Sequence, residues 1–194
     1  MEARFDKDQD KLYRKIYGAV AWPGKRPGFA VVIGQNLAPP GNLVLLDELE
    51  DSDTRALVRG CGGLDYFYRP DAWLGDPGNQ AAMTFIAEMN RENREARQQY
   101  GRDFTLRRSR VLDIKNTFAY LLPTLKKTLG NGRLRLKEGK LKSYMLQPQA
   151  SDLPAIEFGD YPAIEALAFA VLELERTRES RPRQQYALND YPRM

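Results

Sequence analysis

Hydrophobic positions along this chain come first in short continuous runs and later at helical spacing. Ile16 to Trp22 (IYGAVAW), Phe29 to Gly34 (FAVVIG) and Leu43 to Leu49 (LVLLDEL) have the length of strands. They are separated by Pro23-Gly24-Lys25-Arg26-Pro27-Gly28 and by Ala38-Pro39-Pro40-Gly41-Asn42. Apolar runs divided by proline and glycine turns predict an antiparallel meander. Ser52 or Asp53 can then cap a short helix through Ala56, Leu57 and Val58, which Gly60, Gly62 and Gly63 are expected to end. Ala72-Trp73-Leu74-Gly75 is a further strand that stops on Asp76. Pro77 suits a first helical turn and Asn79 can cap the run behind it, so this stretch reads as strand, carboxylate, helix. Ala82, Phe85, Ile86 and Met89 recur at helical spacing, whereas Asn90 to Gln99 is so charged that fraying, bending or escape into solvent is expected.

The second half is less regular. Phe104 to Leu112 reads as a strand returning to the sheet with arginines at its edge. Phe118, Leu121, Leu122 and Leu125 give helical spacing, with Pro123 either kinking that helix or starting a second one, and Gly130-Asn131-Gly132 ending it. Arg133 to Lys137 alternates basic and apolar residues like a strand, and Leu141, Tyr144 and Met145 fit a short helix. From Pro162 to about Arg176, Ile164, Leu167, Ala168, Val171 and Leu172 mark the closing helix. Residues 1–15 read as a charged arm, 16–176 as one domain, and 177–194 as a polar tail. The pattern predicts an α/β fold: a mixed sheet, antiparallel first and parallel later, flanked by helices.

A length of 194 residues suits one domain with a real core. No apolar run reaches about 18 residues and the N-terminus is charged, so neither a membrane span nor a secretory signal is expected. The single cysteine, Cys61, cannot staple the fold and agrees with a reducing, cytoplasmic setting. With one cysteine and no histidine, zinc sites and Ser-His or Cys-His catalysis are excluded. A metal would have to be held by oxygen, which points to Mg²⁺ or Mn²⁺. The net charge of +4 is unevenly spread: Gly101 to Met145 carries 12 Lys or Arg against Asp103, Asp113 and Glu138, so this segment is +9 and the rest −5. Such a segment can neutralise a row of phosphates or can simply be a solvated face.

Two aspartates stand where the chain leaves or enters an element. Asp76 sits at a strand tip, where sites in open α/β sheets lie. Asp160 precedes the closing helix, where a carboxylate commonly serves only as a cap. Two-metal phosphoryl hydrolysis needs several carboxylates converging on cations roughly 3.5–4 Å apart. Asp47, Glu48 and Glu50 are further candidates, but strand alternation sends Glu48 and Glu50 to one face and Asp47 to the other. Gly132 to Lys140 is no phosphate loop, having six residues between its glycines and Leu141 in place of Ser or Thr.

The order of these elements resembles the nuclease domain of phage terminase large subunits. The likeness is carried by three leading strands, the Gly75-Asp76-Pro77 strand end with its helix, a lysine-led helix from Lys115, the phrase Gly132-Arg133-Leu134, and an acidic residue ahead of Ala166-Leu167-Ala168. It spans roughly Ile16 to Glu175. The resemblance implies a ribonuclease H-like fold and divalent-metal cleavage of duplex DNA during genome packaging. It also implies as partners DNA, a terminase ATPase portion, a small terminase subunit or the portal, and no membrane. By the same resemblance Asp76 looks like the second metal-binding acid, Asp160 like the third, and Lys115 like the basic residue opening the next helix.

The departures are informative. The family's first strand carries an aspartate where this chain has Ala21, and Glu165 stands where an aspartate often precedes Ala-Leu. Glu48 is the nearby acid that could substitute. The resemblance therefore supports two expectations: an endonuclease with Asp76 and Asp160 catalytic and Asp76, Asp160 and Glu48 on the metal, or an inactive DNA-binding or packaging-complex interaction module. In either case Arg107, Arg108, Arg110, Lys115, Lys126 and Lys127 are the DNA-binding candidates.

Overall fold

The computed structural model describes residues 12–38, 41–96, 102–110, 118–136, 139–145 and 160–179. The leading runs form β1 (Tyr13–Ala21), β2 (Gly28–Asn36) and β3 (Leu43–Asp51). They are followed by α1 (Thr54–Tyr68), β4 (Ala72–Gly75), α2 (Gln80–Glu95) and β5 (Leu106–Arg108). The second half adds α3 (Phe118–Gly130), β6 (Leu134–Arg135), α4 (Lys140–Met145) and α5 (Pro162–Glu179). The strands make one six-stranded sheet in the order β5-β4-β1-β2-β3-β6. The β1–β2 and β2–β3 pairs are antiparallel, while β1–β4, β4–β5 and β3–β6 are parallel. This is the predicted mixed α/β sheet, with its meander at the centre and its parallel strands outside.

Each face of the sheet has its own core. On one side α5 covers Tyr17, Ala19, Ala21, Phe29, Val31, Ile33, Ala72 and Leu74. On the other, α1 and α2 cover Ile16, Val20, Ala30, Val32 and Trp73. Strict alternation along β1 and β2 sorts the two sets, which is why both strands read as unbroken apolar runs. The closing helix was predicted to have an apolar stripe, yet Ala163, Ile164, Ala166, Leu167, Ala168, Phe169, Ala170, Val171 and Leu174 are all buried. A helix buried this widely lies between layers, here between the sheet and the helices α3 and α4, and Glu165 of its first turn is buried with it.

Several boundaries differ from the sequence reading. The sheet begins at Tyr13, which pairs with Asn36, so the predicted arm gives up its last residues to β1. Helix α1 does not stop at its glycines but runs to Tyr68. A methyl on Gly60 would collide with Leu49, and one on Gly62 would lie 2.8 Å from Met89 Sδ. The glycines cost roughly 0.5–1 kcal/mol each inside a helix. Gly60 and Gly62 let α1 approach β3 and α2 closely, a tertiary requirement invisible in a local pattern. Asp53, of the two proposed caps, accepts from Arg55 N–H and Ala56 N–H, and Arg69 ends α1 in the left-handed region at φ 46°.

Helix α2 continues through the charged stretch to Glu95. Asn90 accounts for this: its amide donates to Phe104 O and accepts from Phe104 N–H, at 2.9 and 3.0 Å, and so joins the helix to the segment that leads into β5. One helix, α3, runs through Pro123. Of the strand expected over Phe104 to Leu112, the described residues form Leu106–Arg108, and Val111 and Leu112 lie outside them. Most of the predicted tail, residues 180–194, and Lys115 lie outside the described residues.

Candidate functional site

Asp76 follows the last residue of β4, as predicted. Tyr17, Gly18 and Ala19 pair in parallel with Ala72, Trp73 and Leu74. Carrying that register forward sets Ala21 beside Asp76. Trp22 Nε1 closes the junction by donating to Asp76 O at 2.9 Å. Asp76 Oδ1 accepts from Gly78 N–H at 2.8 Å, forming the Asx turn that launches α2, and Asn79 caps that helix through Ala82 N–H. Ala72 and Leu74 belong to the core beneath α5, so the same alternation turns Asp76 toward α5.

The next strands complete a row across this rim. Ala21 pairs with Phe29, and Phe29 with Glu50. The row on the α5 face is therefore Asp76, Ala21, Phe29, Glu50. Its two central members are apolar and 5% and 1% exposed. Asp160 enters from above, at the start of α5, with Lys25 Nζ of the β1–β2 turn 3.9 Å from its Oδ1. Arg26 of the same turn lies over the Tyr161 ring, 4.6 Å from its centroid. Both sequence-predicted aspartates thus face one end of the sheet, the end formed by the C-termini of β1 and β4.

Glu48 has another task. Its Oε1 and Oε2 accept from Lys140 N–H at 2.7 Å and Leu141 N–H at 3.2 Å, so it caps α4 two strands away from β1. The predicted alternation holds: Glu50 also faces α4, whereas Asp47 accepts from Tyr68 OH of α1 on the opposite face. Glu50 accepts from Lys140 Nζ at 2.5 Å and from Tyr144 OH. Burial pushes the Glu50 carboxyl up, but these two donors outweigh it and hold the group below its ordinary value. The Tyr144 hydroxyl is pushed up, chiefly by its bond to Glu50 and then by burial. With Arg26, Pro27, Phe29, Tyr161, Pro162 and Ala163, Glu50 and Tyr144 line a cleft at the rim. Sequence reasoning missed Trp22, Lys25, Arg26, Tyr144 and Tyr161, and the one available signal was their closeness to turns and helix starts.

The basic segment is not one patch. Arg102, Arg133 and Lys140 are committed to Asp65, Glu175 and Glu50. Arg107, Arg108 and Arg110 are exposed on and just after β5, at one edge of the sheet. Lys126 and Lys127 are exposed on α3, which contacts β6 at the other edge. Among the described residues no helix is long and apolar enough to cross a membrane.

No family model matches the sequence, and no curated protein matches it. Solved structures do. The large terminase of the thermophilic bacteriophage D6E matches with a TM-score of 0.56 at 11% identity, over 88% of this chain and 45% of that one. The nuclease domain of the g2p large terminase of bacteriophage SPP1, solved with bound Mn, matches with a TM-score of 0.51 at 12% identity, over 89% of this chain and 94% of that one. At such identity the likeness establishes the fold alone, a ribonuclease H-like mixed sheet. The chain spans less than half the length of the D6E terminase and nearly all of the SPP1 domain.

The Mn in the SPP1 domain calls for a test of fit. Among the described residues no group of three or more carboxylate, histidine or cysteine side chains is placed to hold a metal ion. The rim offers Asp76, with one oxygen already in its own turn, and Asp160, while Ala21 and Phe29 fill the places between Asp76 and Glu50. Among the described residues this donor set does not fit a two-cation centre, which needs several converging carboxylates.

Proposed function

We propose that this chain is a duplex-DNA-engaging domain of the terminase nuclease type, working in phage genome packaging beside an ATPase portion, a small terminase subunit or the portal. The observation that carries the reading is the fold likeness over nearly all of the SPP1 nuclease domain. It is supported by Asp76 and Asp160 at one rim, with exposed arginines on the neighbouring edge strand.

Binding in this reading is electrostatic. Arg107, Arg108 and Arg110 contact phosphates, and Lys126 and Lys127 extend the contact on the far side; Lys115 belongs to the same set by sequence. Neutralising Arg107, Arg108 and Arg110 together to glutamine should weaken duplex binding at low salt at least about tenfold. The slope of log affinity against log salt should fall by roughly 2–3, since each phosphate contact contributes about 0.9. Fluorescence anisotropy with a labelled duplex measures both quantities. Affinity that ignores salt and the triple substitution would remove the reading.

Cleavage with Mg²⁺ or Mn²⁺ is the other half of the likeness, with Asp76 and Asp160 as the residues that would hold the ion. Because the donor set falls short, we derive no cleavage step for this chain. The alternative, motivated by Ala21, is a binding module on a nuclease scaffold. Plasmid DNA incubated with the protein in Mn²⁺ separates the two: nicking that disappears in Asp76→Asn supports the endonuclease, and plasmid that stays supercoiled supports the binding module.

A further inference from the structure

We infer that the cation centre of this rim is interrupted at one backbone position, Ala21, and that a carboxylate there would complete it. The inference rests on the fold reading above and adds which residue decides cation binding. Hard divalent cations take oxygen ligands, and a rim with two separate carboxylates holds them poorly. Neighbouring strands lie about 4.8 Å apart. A β1 side chain is therefore the nearest that the sheet can bring to Asp76 from that side, and here it is a methyl group, 5% exposed.

Among the described residues, the neighbouring sheet positions offer no substitute. On the β5 side, Ser109 N–H donates to Gly75 O and the strand carries arginines. Phe29, next beyond Ala21, is buried under α5 and contributes no oxygen. Glu50, at the far end of the row, has its two carboxylate oxygens bonded by Lys140 and Tyr144. Overhead, the charge of Asp160 faces the ammonium of Lys25, a cation supplied by the protein itself. On the described strands, Ala21 is thus the position beside Asp76 that brings no oxygen to the rim.

The test uses Tb³⁺ and Mn²⁺ as probes of the full chain. Trp22 bonds to Asp76 and can sensitise the emission of Tb³⁺ held there. Wild-type protein should give no saturable Trp22-sensitised signal and no saturable Mn²⁺ heat. Ala21→Asp should gain at least tenfold in Mn²⁺ affinity together with the Tb³⁺ emission. Adding Asp76→Asn should remove both gains, while adding Trp22→Phe should remove only the emission. Ala21→Asn, similar in size to Asp but uncharged, should show neither gain.

A wild-type site that saturates and depends on Asp76 would overturn the inference, as would a folded Ala21→Asp with unchanged affinity. If Ala21→Asp does not fold, the comparison of wild type with Asp76→Asn still decides whether the rim is interrupted. Duplex binding is measured separately, so a failure there sinks the packaging reading and leaves the cation result intact.

Discussion

The two ends of β4, a strand of four residues, treat a carboxylate in opposite ways. Before the strand, Asp65 of α1 is 4% exposed and fully engaged. Its Oδ1 accepts from Trp73 Nε1 at 3.1 Å and Arg102 Nη2 at 2.7 Å, its Oδ2 accepts from Arg102 Nε at 3.3 Å, and Arg102 Nη2 also donates to Pro70 O at 2.5 Å. Asp71 beside it accepts from Ile16 N–H and pairs with Lys15. After the strand, Asp76 is only partly buried and bonds to Gly78 of its own turn. A buried charge must be paired and hydrogen-bonded, so the first end is a structural joint. The second end keeps a carboxylate at the surface where chemistry or binding can use it. Burial alone is therefore a poor guide to function here; the functional candidate is the less satisfied aspartate.

Substitutions at the two ends separate these roles, and the largest effect belongs to the joint. Arg102→Ala leaves the Asp65 carboxylate buried with only the Trp73 N–H. Breaking a fully buried pair costs about 3–5 kcal/mol, and with Arg102 half exposed we expect about 2–3 kcal/mol, measured by urea denaturation. Duplex affinity should be little changed, and a large loss of affinity with stability intact would reverse the assignment.

An intermediate effect comes from Glu50, at the rim end of the comparison. Its folded pKa is depressed, so its contribution to stability is present above the unfolded value and is lost as pH falls through the folded one. The melting temperature of wild type should therefore drop more steeply than that of Glu50→Gln as pH is lowered below the ordinary carboxylate range. Parallel curves would show that the bonds from Lys140 and Tyr144 add nothing to stability.

The smallest effect on stability is expected at Asp76. Asp76→Asn keeps an oxygen for Gly78 N–H and should shift stability by no more than about 0.5 kcal/mol, as surface substitutions usually do. A loss of about 2 kcal/mol or more would make Asp76 a structural residue like Asp65 and erase the contrast.

Much of the fold is legible along the chain because its signals are local. The turns at Pro23 to Gly28 and Ala38 to Asn42 bracket three runs that do pair as a meander, and Asn79 does cap α2. The candidate site is only half legible. Asp76 and Asp160 could be placed at element ends from neighbouring residues, whereas Glu48 was assigned by its strand and its actual partner, the start of α4, lies 92 residues away. The layout of the basic segment was not legible for the same reason, since Arg107 to Arg110 and Lys126 to Lys127 are carried to opposite edges of the sheet.

By itself the sequence determined the order of the strands and helices though not all their ends, where Asp76 stands relative to its strand, and that any cation would need oxygen ligands. These follow from backbone preference, side-chain period and residue chemistry, all of which act within a few positions. Tertiary structure alone decided that α1 passes through its glycines, that Asp65 locks Arg102, that Glu48 caps α4, and that a methyl and a phenyl ring stand between the acids of the rim. Each of these depends on which strands become neighbours, and that is settled by burial over the whole sheet rather than by any one stretch of chain.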